Sequence, residues 1–340
     1  MKMKMKMASF AFPLILLITF LSIPAFSRKS EKPKLKLDYY KTTCPDFAEI
    51  VRDVVTSKQS AQPTTAAATL RVFFHDCMVE GCDASVLISS NSFNKAERDH
   101  HSNANLPGDA FDVILKAKTS LELQCPKVVS CADILAQLTR DLIVMVGGPF
   151  FPVLLGRKDG LISEAARVEG NLPSVNFTMD QSIEYFKTRG FDTKEMVALL
   201  GAHTIGFAHC REFADRLYHY SEKVPTDPEY NPKFADALKT LCKNYSKDAA
   251  MSAFNDVLTP GKFDNMYYQN LPRGLGVLKT DHGLVKDPRT KPFVMNYAAN
   301  QTLFFQDFSA VMEKLGSYHV KTGEQGEIRA RCDQFNSILT

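Results

Sequence analysis

The sequence predicts a mainly α-helical protein with a large apolar core, built for an oxidising compartment. Three observations carry that prediction. Apolar residues recur at helical spacing in one segment after another, and clear strand signals are few. The 340 residues are 45% hydrophobic, enough for a substantial interior. Eight cysteines in one chain point to disulfides.

Lys2, Lys4 and Lys6 precede an apolar run from Phe10 to Ile23, and Ala25-Phe26-Ser27 then supplies small residues. That is the pattern of a cleaved secretory leader over residues 1–27, with 28–340 as the mature domain. The run is too short for a retained membrane anchor. The formal charge of +3 belongs to those leader lysines, because without them Lys+Arg falls from 41 to 38 against Asp+Glu 38. The mature chain is formally neutral, so the net charge says nothing for nucleic acid or an anionic membrane as partner, and neither partner nor a membrane anchor is expected. Sequons at Asn176, Asn244 and Asn300 fit a secretory route and are candidate N-glycan sites.

A first helix is read from Phe47 to Val55. Pro63, in a first turn, and the alanines behind it open a second. If that helix runs to Cys77, Arg71 and His75 stand at i and i+4 and share a face. A neutral imidazole beside a fixed cation can move a proton and stabilise developing negative charge. Asp76, Asp83 and Ser85 then offer oxygens on a loop bent at Gly81 and bracketed by Cys77 and Cys82. Hard oxygen donors suit Ca²⁺; a Zn²⁺ site of His75, Cys77, Cys82 and Asp83 is the alternative.

Further on, Phe111 to Glu122 is helical. Ser130 caps the next helix with Asp133 as its capping-box acid, and Gly147-Gly148-Pro149 stops it. Asp192 and Glu195 form another capping box ahead of an apolar helix that ends at Gly201-Ala202-His203. The two small residues leave room for a flat group beside His203. Asp256, Thr259 and Asp264 make a second oxygen-rich cluster, and Gln301 to Leu315 is a final long helix.

The string F-H-D-C-x-V-x-G-C-D-A-S from Phe74 resembles the distal signature of the class III secretory plant peroxidases, and L-x-G-A-H-T-I-G around His203 resembles their proximal one. The resemblance runs from about residue 37 to 333. It implies a two-domain haem-peroxidase fold, with haem b between a distal half (about 37–170) and a proximal half (about 171–333). His203 would be the iron ligand and Asp281 its partner, with Phe74 lining the haem pocket. His75 and Arg71 would cleave H₂O₂, with Asn103 holding His75.

The same resemblance implies two Ca²⁺ ions. One is held by Asp76, Val79, Gly81, Asp83 and Ser85, with Glu97 reaching it through water; the other by Thr204, Asp256, Thr259 and Asp264. It pairs Cys44–Cys125, Cys77–Cys82, Cys131–Cys332 and Cys210–Cys242, and Asp133 with Arg157. It brings small phenolic donors to the Pro173 carbonyl and implies a monomer in the cell wall or apoplast. Eight residues follow Cys332, without the long hydrophobic tail of vacuolar members.

Departures gather at the edges. Met78 replaces a usual Phe, Asn255 stands where some members stack an aromatic on the proximal His, and Asn176 and Glu212 replace donor-holding phenylalanines. There is no Trp to carry electrons to the surface. Two other classes are weighed. A Ca²⁺-binding wall protein without catalysis leaves the Arg71–His75 face and His203 unexplained. A secreted zinc hydrolase lacks an H-E-x-x-H pattern.

Overall fold

The structure, a computed structural model, describes residues 35–336; the expected leader lies outside the described residues. Helix α1 (Phe47–Ala61) and α2 (Thr65–Met78) are followed by α3 (Gly108–Gln124) and α4 (Cys131–Met145). These four pack on one another, α2 lying against α3 and α4. After a long connection come α5 (Met179–Thr188), α6 (Thr193–Leu200), α7 (Ala214–Tyr218) and α8 (Pro232–Leu241). The chain closes with α9 (Met266–Asn270), α10 (Lys279–Lys286), α11 (Lys291–Ala299) and α12 (Gln301–Gly316). Among the described residues the only sheet is antiparallel β1 (Phe207–His209) and β2 (Ser252–Phe254), with Ala208 opposite Ala253.

Local chemistry explains most boundaries. The capping box at Asp192 and Glu195 forms, with bonds of 2.8 Å in both directions. Ser130 Oγ accepts from Asp133 N–H at 3.2 Å, as expected of an N-cap. The Asp133 carboxylate does not return the bond. It is fully buried and instead takes the Arg157 guanidinium at 2.8 Å, Tyr40 OH at 2.7 Å and Gly156 N–H at 2.6 Å. A buried carboxylate needs a charge partner more than a helix end needs a second cap. Helix α1 runs a turn and more past Val55, and Pro63 stands just before α2 rather than within its first turn.

Two cores result. The larger joins α1–α4 to α6, α11 and α12 through Val72, Phe73, Leu138, Phe304 and Phe308. A smaller one, around Phe213, Leu217, Tyr230 and Val277, sits under the β-ribbon. Phe263, Phe304 and Phe308 are each fully buried, and each such ring stabilises the fold by roughly 1.5–3 kcal/mol.

All four disulfides pair as the resemblance implied. Cys77–Cys82 removes both thiols from the alternative Zn²⁺ site. Cys131–Cys332 spans 201 positions and brings the C-terminal segment onto α4. There Arg329, fully buried, donates to Ala84 O at 2.8 Å and Gly160 O at 2.7 Å.

Candidate active site

Helix α2 carries Arg71 and His75 to one face, where Arg71 Nε donates to His75 Nε2 at 3.4 Å. The other ring nitrogen, Nδ1, lies 2.6 Å from Asn103 Oδ1. The Asn103 amide is oriented because its Nδ2 donates to Glu97 O at 2.8 Å, which leaves Oδ1 as the acceptor for His75. Nδ1 therefore carries the proton and Nε2 is the basic nitrogen. Burial first, then the Arg71 charge, pushes the His75 pKa down to about 3, and Asn103 opposes the shift. The imidazole is neutral across the physiological range. Phe74 packs beside it, with ring centroids 6.3 Å apart, and leans on Phe186 of α5.

Behind His75 the chain turns through Glu80 (φ 64°), Gly81 (φ 123°) and Ala84 (φ 59°), a run of left-handed residues. A side chain at Gly81 would strike the His319 backbone. The loop gathers carboxylates. Asp76, Asp83 and Ser85 are buried, and Ser85 Oγ donates to Glu97 Oε2 at 2.9 Å. Burial, then repulsion from Asp83, pushes Asp76 up to about 8. Burial likewise pushes Glu97 up to about 8, although Arg167 pairs with it at 2.9 Å. Lys321 caps Asp83 from outside. Val79 and Gly81 lie in this same turn, closed by the Cys77–Cys82 bridge.

His203 stands in the short turn Gly201–Thr204 that follows α6. Its Nδ1 is 2.8 Å from Asp281 Oδ1 in α10, and the same oxygen accepts from Tyr267 OH at 2.8 Å. Leu278 N–H holds the second Asp281 oxygen at 3.1 Å. Burial raises the Asp281 pKa, but His203 and these donors outweigh it and hold the carboxylate below its usual value. Tyr267, whose ring meets His203 edge-on at 5.9 Å, was not singled out in the sequence. Gly201 serves a different purpose from the one expected: a Cβ there would meet Phe304 and Tyr268, so it admits core aromatics rather than a ligand.

Thr204 is followed in space by Asp256, Thr259 and Asp264. The Thr259 hydroxyl lies 3.1 Å from Asp256 Oδ2 and 3.2 Å from Asp264 Oδ1, one proton between two carboxylates. Asp264 N–H reaches Thr204 Oγ1 at 3.4 Å. Asn255, next to this cluster, is buried with its Oδ1 unpaired.

Pro173 is half-buried in a segment anchored by Tyr185 OH, which donates to Asn171 O at 2.7 Å. Beyond it a cavity of about 650 Å³ is lined by Val175, Asn176, Phe177, Arg211 and Glu212. None of Arg71, His75 and His203 lines it.

The Peroxidase family model matches residues 51–300. The chain belongs to the peroxidase family. Among its relatives in Arabidopsis thaliana, Peroxidase 65 is 62% identical over 304 residues, covering 89% of this chain and 90% of the relative. Peroxidase 41 is 59% identical over 324 residues, covering 95% and 98%. Peroxidase 63 is 52% identical over 323 residues, covering 95% and 97%. The protein is thus a plant peroxidase of the class III type, an oxidoreductase acting on H₂O₂, for which small phenols are the typical donors. No helix of the described residues is long and apolar enough to cross a membrane.

Proposed function

We propose that this peroxidase binds haem b, which His203 would hold through Nε2 and which His75 and Arg71 would serve. The observation that supports this best is the His203–Asp281 contact at 2.8 Å. A buried carboxylate fixed by two further donors accepts from Nδ1–H and leaves the Nε2 lone pair free, the donor chemistry an iron ligand would need. Bound there, haem would supply the redox-active iron that two-electron peroxide reduction and one-electron donor oxidation require.

The protein's own groups move the proton. His75 Nε2, neutral and backed by Asn103, takes the proton from one oxygen of H₂O₂ and returns it to the other, which leaves as water. The Arg71 guanidinium, 3.4 Å from that nitrogen, faces the negative charge that grows on the departing oxygen. Phe74 and Phe186 limit water at this face. Phenolic donors reach the site near Pro173, and Glu212 opposes the burial that lowers the Arg71 pKa.

Two Ca²⁺ ions fit the carboxylate clusters. At Asp76, Val79, Gly81, Asp83 and Ser85 the buried negative charge lacks a full counter-charge, and a dication supplies it. At Thr204, Asp256, Thr259 and Asp264 two carboxylates share one hydroxyl donor, and a dication would supply the positive charge that this donor does not. We further read the protein as a secreted monomer of the cell wall or apoplast. Four disulfides fit an oxidising compartment, and Asn176, Asn244 and Asn300 are all exposed. Asn300 also caps α12 through Oδ1 at 3.0 Å, which leaves its Nδ2 for a glycan.

The test is an absorption spectrum of the purified chain before and after one equivalent of H₂O₂. A Soret band that shifts and weakens with peroxide is expected. A chain refolded with haem and Ca²⁺ that shows no Soret band would refute the reading.

A further inference from the structure

From His203 a line of aromatic rings leads away from the peroxide side. His203 meets Tyr267 with centroids 5.9 Å apart, Tyr267 meets Tyr268 at 5.1 Å, and Tyr268 meets Tyr297 at 5.1 Å. All three tyrosines are buried to within 1% of complete. Each phenol has one acceptor, and the acceptors differ in kind. Tyr268 OH donates to the Val197 carbonyl at 2.7 Å, which cannot take a proton. Tyr267 OH donates to Asp281 Oδ1, the atom that already serves His203. Tyr297 OH donates to Asp307 Oδ2 at 2.9 Å, and the other Asp307 oxygen pairs with the exposed Lys194 at 2.8 Å.

We propose that Tyr297 is an internal electron donor, which stores one oxidising equivalent as a shielded tyrosyl when no phenol is bound. This rests on the haem reading above. Tyr297 loses one electron, passed along Tyr268 and Tyr267, and the peroxide-oxidised centre beside His203 gains it. The Tyr297 O–H bond breaks and its proton moves to Asp307 Oδ2. When an external phenol later supplies an electron by the reverse path, Asp307 returns the proton to Tyr297, and the phenol's own proton goes to solvent.

The acceptors decide where the equivalent rests. Protonating Asp281 would weaken the grip on His203, and Tyr268 has no base at all. Asp307 is half-buried and leads to solvent through Lys194, so it can take a proton without disturbing the axial ligand. Burial, then the Asp307 contact, raises the Tyr297 phenol pKa well above its ordinary value, so its proton leaves only with the electron. The ring is 1% exposed, which shields a radical there from coupling to other molecules.

The test uses full-length holoenzyme with ring-deuterated tyrosine, mixed with one equivalent of H₂O₂ without donor, freeze-quenched and read by electron paramagnetic resonance. A tyrosyl signal narrowed by deuteration is expected in the wild type, and its loss in both Tyr297→Phe and Asp307→Asn. Both variants should keep the Soret response to peroxide and bleach faster in excess peroxide. Asp307→Asn leaves every core ring in place and carries the test alone if Tyr297→Phe fails to fold. A signal unchanged in the variants, or absent from a wild type whose Soret band responds, overturns the proposal and leaves the haem reading standing. A wild type without any Soret response sinks both.

Discussion

Replacing Asn103 with Val removes the acceptor of His75 Nδ1–H while leaving the imidazole and Arg71 in place. The lost bond is short, 2.6 Å, and joins the buried Asn103 to a half-buried His75. A buried donor left without a partner costs about 1–3 kcal/mol. If that cost falls on the transition state, peroxide cleavage slows roughly five- to 150-fold. Removing the base itself by His75→Ala should cost more, on the order of 10²–10⁴. The assay is stopped-flow detection of the Soret change at increasing H₂O₂, across pH. In the wild type the rate should be level through neutral pH and fall only as pH approaches about 3, where His75 becomes protonated. Asn103 raises the His75 pKa, so without it the acid limb moves to still lower pH while the plateau drops. A plateau that stays at the wild-type value, or an acid limb that moves up, would refute this account of Asn103.

Four other outcomes are expected. Asp281→Asn should loosen haem by roughly 10–100-fold, read as faster transfer to a haem-scavenging protein, because His203 and Tyr267 lose their common anion. Asp133→Ala strips the charge partner from fully buried Arg157 and should lower unfolding free energy by about 3–5 kcal/mol in urea titrations. Chelating Ca²⁺ should remove about 3 kcal/mol for each site that was filled at 100-fold its Kd, measured as a fall in Tm restored by added Ca²⁺. A glycan attached at Asn176, which lines the cavity of about 650 Å³, should slow turnover of bulky phenols more than small ones; equal rates with and without it would exclude a gating role.

What could be read in the sequence was local or carried by a long motif. The i, i+4 placement of Arg71 and His75, the cap at Ser130 and the box at Asp192 depend on neighbours a few positions apart, and all three stand in the structure. The disulfides and the Asp133–Arg157 pair came through the resemblance and are also seen. The misses share a cause. Asp133 left its expected cap for a partner 24 positions away, and Gly201 yields its space to Phe304 and Tyr268 rather than to a ligand. Tyr267 meets Asp281 across 14 positions, and no periodicity marks it. Arg167, which ties Glu80 to Glu97 from about 70 to 87 positions away, is likewise invisible to spacing. A buried charge is satisfied by whichever group the tertiary fold delivers, and sequence separation does not constrain that choice.

Arg329 gives the molecule a direction in time. Its guanidinium closes on Ala84 O across 245 positions, and Cys332 reaches back to Cys131. During synthesis at about 5–20 residues per second, the loop behind His75 therefore waits roughly 12–50 s for its last strut. Through that interval Cys131 has no mate, and the loop's carboxylates lack Lys321. The nascent chain is therefore open to wrong disulfides at Cys131 until the C-terminal segment that braces the finished loop arrives. Any Ca²⁺ bound there before the C-terminal segment arrives would hold that half-built loop in register.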